Sequence, residues 1–315
     1  MKHLLSIEDL SLKDSLELLS LANEMRKTNL KEVKRLPALS GRLLANLFFE
    51  DSTRTRISFE IAAKRLSADV VNFSAKGSSI SKGESLKDTV LTLEAMGVEA
   101  FIVRHSSSGA ARTIADASWS TASVINAGDG THEHPTQALL DSLTIRNALK
   151  GFSSTEDLQG VRVLIVGDIL HSRVARSNAL LLRKLGATVA FCGPSTLLPD
   201  FARLTADEIY SDLDAALEIG FDIVMMLRIQ QERMNSGFTP NQVEYSERFG
   251  LSQKRFERLG KRTLIMHPGP MNRGLEIAST VADSSQSLIT EQVTNGVAIR
   301  MAVLYRLLAQ EGTGK

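Results

Sequence analysis

Short apolar runs alternate with stretches of helical period along this chain, and that alternation fits a parallel sheet covered by helices. In the first half, Leu43 to Phe49, Asp69 to Phe73, Ala100 to Val103 and Ser123 to Asn126 read as strands. Between them, Leu86, Val90, Leu93 and Met96 recur at helical spacing before Gly97, a helix stop. A second series follows the polar stretch Gly151 to Gly160, with strands near Val161 to Val166, Ala187 to Cys192, Asp222 to Leu227 and Thr263 to Met266. Pro135 to Leu149 reads as a helix leading up to that stretch. Ser287 to Gln310 reads as another, with Leu288, Val293, Val297, Met301, Leu304 and Leu308 on one face. A chain of 315 residues exceeds what one core serves, so an α/β fold of two doubly wound parallel-sheet domains is expected, divided near residues 150 to 160. With 43% apolar residues it has enough to fill both cores.

Lys and Arg (37) nearly balance Asp and Glu (36), which removes the global positive field of a dedicated nucleic-acid binder. Any affinity for anions must come from local clusters. A single cysteine, Cys192, allows neither an internal disulfide nor a cysteine-rich zinc site, and a reducing cytoplasmic setting fits it best. The start, MKHLLSIEDL, meets acids too soon for a signal peptide, and the lack of an 18-residue apolar run argues against a membrane span.

The stretch Phe48-Phe49-Glu50-Asp51-Ser52-Thr53-Arg54-Thr55-Arg56 carries the most chemistry. A buried strand ends there, hydroxyls and arginines follow, and a helix begins, so backbone N–H groups and the positive helix end converge on the hydroxyls. Simple helix capping by Ser52 or Thr53 is the competing reading. Arg104 follows an apolar strand and would sit at the carboxyl edge where open α/β sheets bind ligands. His134 and Gln137 lie three apart at a helix start whose Pro135 suits the first turn, so both could face one ligand. Thr131-His132-Glu133-His134 lacks the helical spacing of a metal site, and a metal is set aside. In the second half Arg173 and Arg228 each follow a strand, the latter with Gln230, and two guanidinium forks suit a substrate with two carboxylates. Solvated arginines at strand ends are the alternative. Gly167-Asp168 is not a nucleotide fingerprint, since Gly-x-Gly-x-x-Gly is missing.

Ser-Thr-Arg-Thr-Arg after Phe-Phe-Glu-Asp resembles the carbamoyl phosphate signature of the aspartate/ornithine carbamoyltransferase family. The likeness continues in order through Lys82-Gly83-Glu84-Ser85, Val103-Arg104-His105, Asn126-Ala127-Gly128-Asp129-Gly130, His134-Pro135-Thr136-Gln137-Ala138-Leu139-Leu140-Asp141, Gly167-Asp168, Arg228-Ile229-Gln230, His267-Pro268-Gly269-Pro270 and Asn295-Gly296-Val297. The resemblance implies transfer of a carbamoyl group from carbamoyl phosphate to an amino acid, an early step of pyrimidine synthesis if that acid is aspartate. It implies a carbamoyl phosphate domain over residues 1–150 joined by a C-terminal helix at 287–315, an amino-acid domain over 151–286, and an active site in the cleft. Ser52, Thr53, Arg54, Thr55 and Arg104 would hold the phosphate, Thr55, Arg104 and His134 the carbamoyl oxygen, and Gln137 the NH2 group, with Gly269 and Pro270 also against carbamoyl phosphate. Lys82, Arg173, Arg228, Gln230 and Pro268 would face the amino acid. The family pattern also implies a homotrimer in which Lys82 and Ser78 reach a neighbouring subunit's site, and it calls for no cofactor and no metal.

The ornithine branch shows His-Cys-Leu-Pro where this chain has His267-Pro268-Gly269-Pro270, which points to L-aspartate. Gly269 departs from the leucine of some aspartate enzymes and bears on the local backbone shape. A noncatalytic anion binder on the same fold would have lost Arg54, Arg104 or His134, and all are present. Glu50, Arg173 and Arg233 are the expected charge partners for closure of the cleft.

Overall fold

The apolar runs become parallel strands because both sheet faces are covered, so each strand can be apolar throughout. The computed structural model describes residues 1–30, 32–74, 83–151, 154–200, 202–229 and 241–309. The chain divides into two units: Met1–Leu143 joins the stretch from Thr294 onward, and Glu156–Val293 joins Thr144–Gly151.

In the first unit the order is α1 (Leu12–Asn29), β1 (Leu43–Phe48), α2 (Thr53–Arg65), β2 (Asp69–Ser74), α3 (Leu86–Ala95), β3 (Ala100–His105), α4 (Ala110–Asp116), β4 (Ser123–Asp129) and α5 (Pro135–Lys150), the last crossing the unit boundary. The four strands are parallel in the order β2-β1-β3-β4. All of β4 is buried, and Phe101, Val103, Ala45 and Leu47 fill one side of the sheet. The N-terminal segment extends the sheet by one bridge. Leu4 pairs with Ile125, donating to Val124 O at 2.9 Å and accepting from Asn126 N at 2.8 Å.

The second unit runs β5 (Arg162–Val166), α6 (Arg173–Lys184), β6 (Thr188–Cys192), α7 (Ala202–Thr205), β7 (Glu208–Tyr210), α8 (Leu213–Ile219), β8 (Ile223–Met226), α9 (Gln242–Phe249), α10 (Gln253–Arg258), β9 (Leu264–Met266), α11 (Ser279–Ala282) and α12 (Ile289–Leu308), which re-enters the first unit at Thr294. Its parallel sheet has the order β7-β6-β5-β8-β9. Strand β7 was not foreseen from sequence: it is three residues long and only half-buried, so it leaves no apolar run. In α12, Met301, Leu304 and Leu308 are buried as expected, but Val293 is 60% exposed. The buried surface there runs through Gln292, Asn295 and Ile299 instead. Cys192 is fully buried, and burial pushes its thiol up to about 12, so it packs as a small apolar group.

In each sheet the chain adds strands on one side of the first strand and then returns to the other. The turning point lies between β1 and β3 in one unit and between β5 and β8 in the other. Crevices at the carboxyl ends of such strands are where open α/β sheets bind ligands. Beside the second turning point, where β5 and β6 end, the backbone is packed without slack. A Cβ on Gly193 would stand 2.4 Å from Gly167 O, and Gly167 N donates to Cys192 O at 2.9 Å. Gly193→Ala should therefore destabilise the fold by about 1–3 kcal/mol, the range for overpacking. Thermal unfolding should show a lowered midpoint, while Gly260→Ala, whose Cβ would meet nothing closer than 3.7 Å, should be near neutral.

Candidate active site

In the first unit, three loops leave the carboxyl ends of adjacent strands. The loop after β1 leads through Glu50 and Asp51 to Ser52, the N-cap of α2. Ser11, Ser85, Ser172, Asp212, Asn241 and Ser252 each accept a backbone N–H of their own helix, but Ser52 makes no such cap bond. The capping alternative for Ser52 fails on that observation. Thr53 and Arg54 are exposed and Thr55 is buried, one turn into a helix whose positive end faces the same edge.

Arg104 stands beside this loop because β3 pairs with β1 in a register that sets Phe48 opposite Arg104. Its guanidinium is half-buried, donates from Nη1 to Ala127 O at 3.1 Å, and places Nε 3.4 Å from Glu50 Oε2. The third loop follows β4 and delivers His134 and Gln137, both buried, at the start of α5. Gln137 Nε2 donates to Asp141 Oδ1 at 3.0 Å.

One carboxylate holds the third loop in shape. Asp129, at the end of β4, accepts from Gly109 N at 2.6 Å, Asn126 Nδ2 at 2.8 Å and Glu133 N at 3.1 Å, and its Oδ2 lies 3.1 Å from His132 Nδ1. Burial pushes its pKa up, but the hydrogen bonds from His132, Asn126 and Gly109 outweigh burial and the net direction is down. Glu133, next to His134, is also buried and accepts from Ser6 Oγ at 2.5 Å and Ile7 N at 2.9 Å. The histidine loop is thereby tied to the N-terminal segment.

The second unit repeats the plan. Asp168 follows β5 and accepts His171 N at 3.0 Å, with His171 Nδ1 2.9 Å from its other oxygen. Ser172 caps α6, and Arg173 is the first residue of that helix, half-buried. Arg228 follows the neighbouring strand β8 and is also half-buried. The loop after β9 is built on fully buried His267. Its Nδ1 accepts from Gly269 N at 2.9 Å, which puts the ring proton on Nε2, where it donates to Glu276 Oε1 at 3.1 Å. Glu276 also accepts from Asn272 N at 2.5 Å, and Asn272 Nδ2 donates to Ile229 O at 3.0 Å. Pro268 and Gly269 are half-buried, Pro270 is exposed, and the Gly269–Pro270 bond is cis.

The structure thus gathers Ser52, Thr53, Arg54, Thr55, Arg104, His134 and Gln137 at one sheet edge, and Arg173, Arg228, Pro268, Gly269 and Pro270 at the other. Ser78, Lys82, Gln230 and Arg233 lie outside the described residues. Reasoning from sequence missed Asp129, Glu133 and Glu276 as the groups that hold these loops. Asp129 sits in a motif already singled out, whereas nothing local flags Glu276.

Residues 2–147 match the profile of the aspartate/ornithine carbamoyltransferase carbamoyl-P binding domain, and residues 159–307 match the Asp/Orn binding domain of the same family. The chain belongs to the aspartate/ornithine carbamoyltransferase family. It is 60% identical over 311 residues to the aspartate carbamoyltransferase catalytic subunit of Beutenbergia cavernae, covering 98% of this chain and 94% of that one. It is also 60% identical over 318 residues to the corresponding subunit of Kineococcus radiotolerans, covering 100% and 99%. Among solved structures, the Trypanosoma cruzi aspartate transcarbamoylase in complex with carbamoyl phosphate and aspartate superposes with a TM-score of 0.84 at 29% identity, covering 98% and 97%. The M. jannaschii catalytic subunit does so at 0.82 and 33%, covering 100% of each chain.

Within this carbamoyltransferase family member, Asp129→Asn should replace an acceptor with an NH2 group facing N–H donors. The expected loss is about 1–3 kcal/mol of stability. Because the native pKa of Asp129 is depressed, its contribution is fully present above about pH 4 and is lost as pH falls through the native value. Unfolding followed against pH should show a shallower acid limb in Asp129→Asn; an identical limb would discount this carboxylate as an anchor.

Proposed function

We infer that the chain is a carbamoyltransferase that moves the carbamoyl group of carbamoyl phosphate to the amine of L-aspartate, giving N-carbamoyl-L-aspartate and phosphate. The observation that carries the reading is the gathering, at one sheet edge, of an uncapped helix start bearing hydroxyls and Arg54 with Arg104 and a buried His134–Gln137 pair. The names of the bacterial relatives and the ligands of the trypanosomal structure support it.

In this reading Ser52, Thr53, Arg54, Thr55 and Arg104 replace the water shell of the phosphate dianion. Each charge-assisted hydrogen bond contributes about 1.5–3 kcal/mol. The amine nitrogen attacks the carbonyl carbon and negative charge grows on the carbamoyl oxygen, where Thr55, Arg104 and His134 act as preorganised donors. The bond from carbon to the phosphate oxygen then breaks, and the departing phosphate takes the amine proton. Gln137 Oε1 accepts from the carbamoyl NH2, and Gly269 and Pro270 also border carbamoyl phosphate. Arg173 and Arg228 grip the two aspartate carboxylates as bidentate forks, with Lys82, Gln230 and Pro268 completing that site. Reaction requires the two substrates to come to reacting distance. The setting we propose is the cytoplasm, at an early step of pyrimidine synthesis, which suits the buried thiol of Cys192. The described residues include no helix long and apolar enough to cross a membrane.

The purified chain should release phosphate from carbamoyl phosphate with L-aspartate at least about 100-fold faster than with L-ornithine, as expected where a buried charge is left unpaired by the wrong substrate. A preference for ornithine would overturn the assignment. We further propose a homotrimer in which Lys82 and Ser78 of one subunit complete the neighbour's site. Lys82→Ala and His134→Ala chains, each nearly inactive alone, should then regain activity when unfolded together and reassembled. Mixed oligomers that stay inactive despite subunit exchange would reject the shared site.

A further inference from the structure

Gln137 and Asp141 stand one turn apart on α5, and both are buried, Asp141 completely. An ionised carboxylate only accepts hydrogen bonds, so the amide of Gln137 must turn its NH2 towards Asp141, as the 3.0 Å contact from Nε2 to Oδ1 has it. The other end of the amide, Oε1, is then directed away from Asp141 as an acceptor.

A buried cation lies close to this pair. Arg300 on α12 is buried among Phe59, with its guanidinium 5.1 Å from the ring centroid, and Ser58, whose Oγ accepts from Nη1 at 2.8 Å. Burial lowers the pKa of Arg300 to about 10 and the nearby charge of Asp141 opposes that fall, so the guanidinium stays charged at neutral pH. Space for this arginine comes from Gly296, where a Cβ would stand 2.7 Å from Nη1. That accounts for the glycine of Asn295-Gly296-Val297, which has no place among the groups assigned to substrate.

We propose that Asp141 is a positioning residue that fixes the amide orientation of Gln137 and thereby makes the acyl pocket select an NH2 group. The inference rests on the reading of Gln137 as the partner of the carbamoyl NH2. A carbamoyl group offers two N–H donors there, whereas an acetyl group of nearly the same shape offers a methyl. With Oε1 held outward the first gains a hydrogen bond and the second strands a buried acceptor, so acetyl phosphate should be discriminated against.

The test compares carbamoyl phosphate turnover with L-aspartate against the inhibition constant of acetyl phosphate, in wild type, Asp141→Asn, Gln137→Met and the double variant. The wild type should prefer the carbamoyl compound. Asp141→Asn, whose side chain can offer its own NH2 and let the Gln137 amide flip, should lose about 10- to 100-fold in kcat/KM for carbamoyl phosphate and less than about 3-fold in acetyl phosphate binding. The double variant should be no worse than Gln137→Met alone, since both changes remove one interaction. Asp141→Glu, which keeps the acceptor, should regain part of the preference. Equal losses for both phosphates, or additive losses in the double variant, would assign Asp141 a merely structural role and overturn the proposal. A wild type that binds both phosphates alike would instead refute the underlying role of Gln137. A measurement on the wild-type enzyme covers failure of Asp141→Asn to fold: the side-chain NH2 signals of Gln137, assigned by their loss in Gln137→Met, should exchange slowly with solvent. Fast exchange of both protons would overturn the orientation.

Discussion

Parallel strand pairing dictates where chemistry is possible in this chain. All strands of a parallel sheet end at the same edge, so loops far apart in sequence open side by side, and the gap between them is widest where the strand order turns back. Between β1 and β3 that turn sets Ser52–Thr55 beside Arg104, and between β5 and β8 it sets Arg173 and Arg228 in the segments that follow neighbouring strands. The register Phe48 opposite Arg104 is what allows one guanidinium to reach Glu50 on one side and Ala127 O on the other.

Such loops carry backbone donors and acceptors that no strand satisfies, and both units spend buried carboxylates on the problem. Asp129 ends β4, Asp168 follows β5, and each binds the histidine three residues on. Glu133 adds a link from the histidine loop to Ser6 and Ile7, and Glu276 fixes His267 and the backbone of Asn272. These acids touch no proposed substrate position. They reduce the freedom of the loops that do, and a loop held in one geometry loses less entropy when it organises a transition state.

Much of this was legible in the sequence, for definite reasons. Strands buried on both faces leave apolar runs, and the loop after β1 concentrates hydroxyls and arginines in a few adjacent residues, so both stand out locally. What stayed hidden depends on distance or on a weak local signal. Ser6 and Glu133 meet across 127 positions, and Glu276 reaches back to His267 from a stretch with no periodicity of its own. Strand β7 is too short and too exposed to leave a pattern. Val293 was placed on the apolar face because it falls at a helical spacing from its neighbours, but the surface that α12 buries is set by Asn295, Ile299 and Arg300, which periodicity of apolar residues alone does not reveal.

The pairing of Arg104 with Glu50 bears on how such a site treats a dianion. At 3.4 Å the contact is longer than a good charge-assisted hydrogen bond, so it holds the guanidinium less firmly than a close bidentate pair would. The guanidinium is a planar fork with five N–H donors, and with Nε towards Glu50 and Nη1 on Ala127 O it keeps further donors directed elsewhere. In the proposed role of Arg104, a phosphate arriving at the edge meets a cation already oriented by contacts that include Glu50 and Ala127 O, and need not bear the entropy of ordering a free side chain. In the same proposal Glu50 limits affinity, because its carboxylate would repel the dianion. On that proposal product phosphate must leave as readily as carbamoyl phosphate enters, and a site with unopposed arginines would hold it too long.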